Sequence, residues 1–398
     1  MSALSLRING KDGRARQCTL TLPHGEVETP VFMPVGTKAS VKSLTYEQVK
    51  ELGCQILLAN TYHMYLHPGV EVLQKSGGLH NFCKWDGNIL TDSGGFQMVS
   101  LSSTMSVNEE GVIFESIVDK KPINLPPEES IHIQQAIGSD IMMQLDDVVS
   151  SLTTGPRVEE AMERSIRWLG RCKGEYEKTK EKQNLFGIIQ GGLQPKLRER
   201  CLEGMVAVDT PGYAIGGLSG GEAKDDFWKM VDISAAGLPQ NKPRYLMGVG
   251  YPVEMLLCVQ FGVDMFDCVY PTRTARFGTA FSDDGLVNLK VNKFKDDFEV
   301  IDKDCDCLCC KKGEGLTKSA LHFMFTNGAV DGTPVAQYLT HHNITYLFNL
   351  MRKYRVTIRE GRSKEFVKQY ILRYHGNDVQ KIPQWIIDAL EKVEIKFE

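Results

Sequence analysis

The segment Asp264-Met-Phe-Asp-Cys-Val-Tyr-Pro-Thr-Arg-Thr-Ala-Arg276 joins an apolar run, residues 265–269, to two closely spaced arginines. Asp267 sits inside that run. A carboxylate in a buried strand is costly unless it is paired or used. Arg273 and Arg276 follow on what reads as a loop. A nucleophile or base at a strand end, with cations beside it, suggests chemistry on an anionic polymer.

Thr91-Asp92-Ser-Gly-Gly-Phe96 sets a second carboxylate at a strand end, where glycines let a planar ligand approach the backbone. Asp92 equally suits the N-cap of a following helix. Asp146-Asp147 suits a third acidic site or a metal pair. Gln190-Gly-Gly and Gly216-Gly-Leu-Ser-Gly-Gly221 supply amide and backbone donors without bulk. No Gly-Lys-Ser/Thr follows either, so a phosphate-binding loop of the P-loop type is excluded. Tyr62, Phe96 and Met247 suit an apolar slot for a flat heterocycle, although isolated residues of these types more often fill a core.

Cys305-Asp-Cys307-Leu-Cys309-Cys310 is a compact thiolate cluster. Three cysteines need one more ligand to complete the tetrahedral shell zinc prefers, and His322, His341 and His342 lie downstream. Cys309 and Cys310 compete for the third sulfur. Four filled positions leave none for a substrate, so the spacing favours a structural metal over a catalytic one.

One local pattern positions these groups. A helix stops at Gly, two residues pass, and an apolar strand with a polar end begins. It runs from Thr45-Tyr-Glu-Gln48, a capping-box start, through Gly53 to the strand Ile56–Ala59. It recurs at Pro127–Ile137, Gly138 and residues 141–145, and at residues 252–261, Gly262 and the Asp267 strand. Further strands fall at residues 89–91, 185–189, 213–215 and 245–247. Between them Met162, Ile166, Leu169, Cys172 and Tyr176 keep helical spacing, the mark of a core stripe. Alternating βα units predict a mostly parallel sheet. Polar residues at many strand ends favour a (β/α)8 TIM barrel over a doubly wound sheet, because in a barrel those ends converge on one face. Past residue 285 basic residues thicken, and residues 351–364 read as one helix with an exposed cationic face. Arg352, Lys353, Arg355, Arg359 and Arg362 are candidates there for phosphate contacts.

The chain has 398 residues, 42% hydrophobic and 24% charged, as an ordinary globular enzyme does. Its net charge of −4 argues against nonspecific nucleic-acid binding, so any such contact needs a local basic patch. No apolar run approaches the ~18 residues of a membrane span. The first residues lack the apolar core of a signal peptide. An odd eleven cysteines without such a signal suggest a reduced, cytoplasmic setting.

With these blocks in order, the chain resembles the tRNA-guanine transglycosylases, and within them the eukaryotic queuine-using catalytic subunits. Thr29-Pro-Val-Phe-Met-Pro-Val-Gly-Thr37, Leu90-Thr-Asp-Ser-Gly-Gly-Phe-Gln97, Ile188-Ile-Gln-Gly-Gly192, Ala214-Ile-Gly-Gly-Leu-Ser-Gly-Gly-Glu222 and Arg244-Tyr-Leu-Met-Gly-Val-Gly250 carry the resemblance, with the Asp267 segment and the cysteine cluster. It implies a transglycosylase barrel over residues 1–295, then a C-terminal zinc-binding subdomain with closing helices over 296–398. It implies exchange of guanine for queuine at the wobble position of tRNAs with GUN anticodons (Asp, Asn, His, Tyr). Asp267 would be the nucleophile that forms a covalent aspartyl-tRNA, and Asp92 the general acid/base. Asp146, Gln190, Gly216, Gly217, Leu218 and Gly220 would meet the base, which Phe96 and Met247 would sandwich. Thr272, Arg273, Thr274 and Arg276 would hold the neighbouring RNA. Structural zinc would rest on Cys305, Cys307, Cys310 and His342. Gly220 replaces a bulkier bacterial residue, which would open room for the cyclopentenediol of queuine. The implied partner is a homologous noncatalytic subunit in a heterodimer, with a homodimer as the other arrangement. The implied location is cytoplasmic or peripheral on the mitochondrial outer membrane. The rival readings are the noncatalytic, tRNA-binding subunit itself, a tRNA-binding module without turnover and a zinc hydrolase of barrel type.

Overall fold

The computed structural model describes residues 3–95, 105–115, 121–326 and 334–397. Its centre is a sheet of nine short strands whose neighbours all run parallel. Two of them, Val31–Met33 and Val35–Gly36, are separated only by Pro34. Proline has no N–H for a ladder. The first piece pairs with Met265–Asp267 and the second with Ile56–Ala59, so the nine segments fill eight positions of a closed barrel. Asn88–Thr91, Ile141–Met143, Asn184–Ile189, Gly212–Ile215 and Arg244–Leu246 complete the circuit.

Strand side chains alternate between two apolar environments, as a sheet covered on both faces requires. Met33, Ile56, Leu58, Leu90, Ile188, Ala214, Tyr245 and Met265 fill the barrel interior. Leu57, Ile89, Leu185, Ile215, Leu246 and Phe266 pack under the helices. Local signals set the helix ends. Thr45 and Gln48 form the reciprocal capping box of Tyr46–Glu51. Gly138 ends Pro127–Ile137 in the left-handed conformation at φ 75°. The stripe of Met162, Leu169, Cys172 and Tyr176 is buried on Pro156–Tyr176.

Asp264 and Asp267 occupy opposite ends of one strand and have different duties. Asp264 accepts from Arg16 Nε at 2.8 Å, Arg16 Nη2 at 2.6 Å and the Arg244 N–H at 2.7 Å. That buried cluster ties the strand's amino end to the antiparallel sheet Ser5–Asp12, Ala15–Leu22 and Gly25–Thr29.

Residues 351–364 are not one helix. Val335–Arg359 ends before Gly361, whose φ of 68° no helix interior accepts, and Ser363–Tyr374 starts anew. The cationic face also differs from expectation. Arg355 is buried and donates to the Pro30 carbonyl at 2.9 Å, Arg352 bonds the Leu52 carbonyl, and Arg359 lies near Glu28. Pro30, Leu52 and Glu28 all precede barrel strands, so these arginines lie at the amino end of the barrel. Lys353 lines a small cavity with Asp283, Asp302 and Asp304, and Arg362 pairs with Glu360. The structure gives these basic residues protein partners or acidic neighbours in place of the phosphate-binding face expected of them. No helix among the described residues is long and apolar enough to cross a membrane.

Candidate active site and metal centre

Strand alternation builds the site. Leu90, Ile188, Ala214, Tyr245 and Met265 face the barrel interior. Two residues further, at the carboxyl ends, come Asp92, Gln190, Gly216, Met247 and Asp267. A period of two keeps each on the same inner face, at the mouth.

Asp267 Oδ1 accepts from the Tyr245 hydroxyl at 2.5 Å and the Gly248 N–H at 2.8 Å. Its Oδ2 accepts no hydrogen bond among the described residues. Burial raises the Asp267 carboxyl above the usual range, and the Tyr245 and Gly248 donors oppose that rise. The Tyr245 phenol is itself raised, first by burial and then by the charge and hydrogen bond of Asp267, with a smaller effect from Asp92. One phenol therefore feels both carboxylates.

Asp92 follows Asn88–Thr91 and is buried. Asn60 Nδ2 reaches its Oδ2 at 2.5 Å, while the Thr61 and Gly94 N–H groups reach Oδ1 at 2.9 and 3.2 Å. The donors come from the ends of two adjacent strands and hold the carboxylate in one orientation.

Asp146 accepts from Gln190 Nε2 at 2.7 Å and Ser93 Oγ at 3.1 Å. Burial pushes its carboxyl up to about 6, and the Gln190 and Ser93 bonds only partly counter this. Asp147 is no second ligand beside it, because Arg157 and Arg164 occupy both its oxygens. The metal-pair reading of Asp146-Asp147 therefore fails.

Gly217 is held at φ 69°, and a Cβ there would lie 2.4 Å from Gln190 Oε1. Only glycine lets the backbone meet the Gln190 amide so closely. Leu218 is half-buried beside it. Gly220 is exposed and lies close to the Ser151 side chain. A Cβ at Gly220 would lie 2.7 Å from Ser151 Oγ, so the glycine accommodates a protein neighbour on that side. Met247 is half-buried against the barrel interior, whereas Tyr62 is core, edge-on to Phe114 at 5.4 Å. Phe96 lies outside the described residues.

The arginine segment is a helix, Tyr270–Arg276, and not a loop. Thr272 and Thr274 donate to the carbonyls of Val269 and Tyr270 at 3.1 and 2.8 Å, and Arg276 donates to the Thr272 carbonyl at 2.8 Å. Sequence reasoning missed two cations that join them. The Lys42 ammonium is held below its usual value by burial first, then by Arg276, Lys38 and Arg273. The two lysines follow the strand Val35–Gly36, so the four cations share one field at the mouth. The alternation in Gly-Thr-Lys-Ala-Ser-Val-Lys carried no signal of this. Tyr245, Asn60 and Thr61 were missed for the same reason: each acts by orienting a carboxylate distant in sequence.

Cys305, Cys307, Cys310 and His342 converge, all buried, with ligand atoms within 4.8 Å of one another. His342 Nδ1 lies 3.7, 3.4 and 3.4 Å from the three sulfurs. Tetrahedral zinc with ordinary bond lengths would set S and N about 3.5 Å apart. His342 Nε2 lies 2.8 Å from the Phe281 carbonyl. That carbonyl can only accept, so Nε2 carries the hydrogen and Nδ1 presents its lone pair to the sulfurs. The group is thus fitted to a metal ion. Cys309 stays out of it, His341 accepts from the Leu308 N–H at 3.4 Å, and His322 bonds the Leu289 carbonyl at 2.8 Å. The next residue, Asn343, donates to the carbonyls of Pro271 and Thr279 at 3.0 Å each. The metal centre therefore buttresses the arginine helix.

A closed parallel barrel that gathers carboxylates at the carboxyl ends of its strands is the organisation of an α/β-barrel enzyme. The family model described as queuine tRNA-ribosyltransferase matches residues 11–376. The chain belongs to this family, the tRNA-guanine transglycosylases. It is 51% identical over 386 residues to the queuine tRNA-ribosyltransferase catalytic subunit of Schizosaccharomyces pombe, covering 96% of this chain and 94% of the relative. The catalytic subunit of Caenorhabditis elegans is 47% identical, with 98% of this chain and 99% of the relative covered. The queuine tRNA-ribosyltransferase of Thermoanaerobacter sp. strain X514 is 46% identical, with 94% and 98% covered.

Proposed function

We propose that this enzyme exchanges guanine at the wobble position of tRNAs with GUN anticodons for queuine, through a covalent bond between Asp267 and the ribose. The observation that carries this is the setting of Asp267. Two donors fix Oδ1 and leave Oδ2 as the attacking atom at the mouth. Oδ2 bonds to C1′ while the C1′–N9 bond breaks and its electron pair leaves with guanine. Asp92, in its acid form, protonates the departing base. It then takes the proton from the incoming base, whose N9 displaces Oδ2 and restores the carboxylate. A carboxylate nucleophile suits an oxocarbenium-like transition state because its charge also stabilises it.

Asp146, Gln190 and the Gly216–Gly217 peptide read the edge of the base, and Met247 covers one face. The target base leaves the anticodon stack to reach them. Lys38, Lys42, Arg273 and Arg276 receive the flanking phosphates or bases. Zinc held by Cys305, Cys307, Cys310 and His342 supplies structural cross-linking, and every reacting group belongs to the barrel. The exposed side chains of Phe277, Phe298 and Phe323, at 64, 74 and 65% exposure, favour a partner on the cysteine-rich side. That partner is the homologous noncatalytic subunit. Native mass measurement finding only single chains or homodimers at full activity would sink it. All eleven cysteines are free of disulfides, which suits a cytoplasmic enzyme, and cell fractionation tests this.

The deciding experiment measures labelled-guanine incorporation into tRNA with a wobble guanine, with and without the partner. Wild type should incorporate and form a tRNA adduct stable to denaturing electrophoresis, and Asp267→Ala should do neither. Bound tRNA without incorporation under any condition would make this the binding subunit.

A further inference from the structure

Arg198 is fully buried, and no carboxylate bonds it among the described residues. Its Nε donates to the Gly192 carbonyl at 2.8 Å, its Nη2 to the Gly216 carbonyl at 2.9 Å and its Nη1 to Ser234 Oγ at 3.3 Å. Arg16 and Arg164, by contrast, rest on Asp264 and Asp147. A buried cation with no carboxylate bonded to it is costly, and Glu222 attracts it only from a distance. Burial pushes Arg198 down only to about 10, so it keeps its charge at neutral pH.

Its acceptors are not arbitrary carbonyls. Gly192 belongs to the Gln190-Gly-Gly loop, and Gly216 opens the loop that meets Gln190. The Gly216 carbonyl and the Gly217 N–H are the two ends of one peptide group. A cation donating into the carbonyl draws electron density from the nitrogen and makes the N–H a stronger donor. Among the described residues nothing accepts from the Gly217 N–H, although the residue is half-buried and its α-carbon faces Gln190 Oε1.

We propose that Arg198 is a positioning residue that acts through the Gly216–Gly217 peptide to strengthen the N–H that receives the carbonyl oxygen of the bound purine. This rests on the base-exchange reading. As guanine departs, negative charge spreads onto that oxygen. A preorganised donor backed by a fixed charge stabilises the departing base more than the bound one.

The test pairs variants with ligands. 2-Aminopurine lacks the oxygen in question and the N1 hydrogen that accompanies it in guanine, so each variant's preference is read against that of the wild type, where the N1 difference is common to both. The affinities of the two bases for the full enzyme are measured by calorimetry, alongside labelled-guanine exchange and melting temperature. Arg198→Gln removes the charge and should reduce the preference for guanine over 2-aminopurine by about tenfold, with kcat falling more than KM rises. Arg198→Lys keeps the charge but cannot span both carbonyls, so it should show a smaller loss confined to guanine. Equal losses for both bases would make Arg198 a structural bracket and overturn the proposal, as would an unchanged preference in both variants. If Arg198→Gln does not fold, the lysine variant alone decides by the same comparison. Absence of exchange in the wild type would instead defeat the base-exchange reading, while the binding preference still decides the role of Arg198.

Discussion

The Tyr245 hydroxyl and Asp267 Oδ1 lie 2.5 Å apart, joining the interior layer of the barrel to the carboxylate at its mouth. Tyr245→Phe keeps the ring packing and removes one donor to the carboxylate. We expect kcat to fall on the order of 10- to 100-fold, the range for losing one preorganised hydrogen bond at a reacting group. That donor opposes the rise of the Asp267 carboxyl, so its loss raises it further. Attack needs the carboxylate, and the acid limb of the kcat/KM profile should therefore move to higher pH. A pH–rate profile of the variant checks both, and an unmoved limb would disprove the link.

Asp146 gives a stability signature. Its folded value of about 6 exceeds the ordinary carboxylate value of 3.8, so the folded state binds the proton more tightly. Stability from this group is fully present below the unfolded value and is lost as pH rises toward the folded one. The difference corresponds to about 3 kcal/mol. Asp146→Asn should flatten the decline between about pH 4 and 6 and raise stability at pH 7, while weakening base binding. Urea melts across that range measure it.

The metal centre should separate stability from chemistry. Cys307→Ser and His342→Ala should reduce zinc content to near zero and make residues 296–326 sensitive to protease. The loss should be several kcal/mol, because binding energy at such sites is folding energy. His341→Ala, which removes a partner of the Leu308 N–H and the Thr345 hydroxyl but no metal ligand, should keep its zinc. Elemental analysis with limited proteolysis distinguishes them, and equal zinc in all three would refute the ligand set.

The cationic cluster should report itself through salt. Arg273→Ala and Lys42→Ala should weaken tRNA binding and lower the slope of log affinity against log salt by roughly 0.7–1 each. Arg355→Ala, at the amino end of the barrel, should leave the slope unchanged and cost stability through the lost bond to Pro30. Filter binding at several salt concentrations decides.

Much of this site was legible because barrel strands have a strict period. The apolar runs ending in Asp92, Gln190, Gly216 and Asp267 each end in a residue of a type suited to chemistry. Helix stops at Gly53, Gly138 and Gly262 marked where each strand begins. The cysteine spacing likewise announced a metal but left Cys309 against Cys310 and His341 against His342 open; the family resemblance pointed to Cys310 and His342, and the packing of Val335–Arg359 brings those ligand atoms together. What stayed hidden depends on contacts remote in sequence. Arg355 reads as exposed on its own helix, yet 325 positions separate it from Pro30, whose carbonyl it bonds. The neighbour of Gly220 is Ser151, some seventy positions earlier, which no local pattern announces.

The interruption at Pro34 has a consequence for synthesis. The strand before it finds its neighbour only in Met265–Asp267, more than half a chain later, whereas the strand after it pairs at once with Ile56–Ala59. The ring therefore cannot shut until the nucleophile has left the ribosome, and shutting it sets Asp267 opposite Met33. An incomplete chain carries neither a sealed barrel nor an armed carboxylate, so premature termination before the last strand silences the enzyme rather than releasing a partial one.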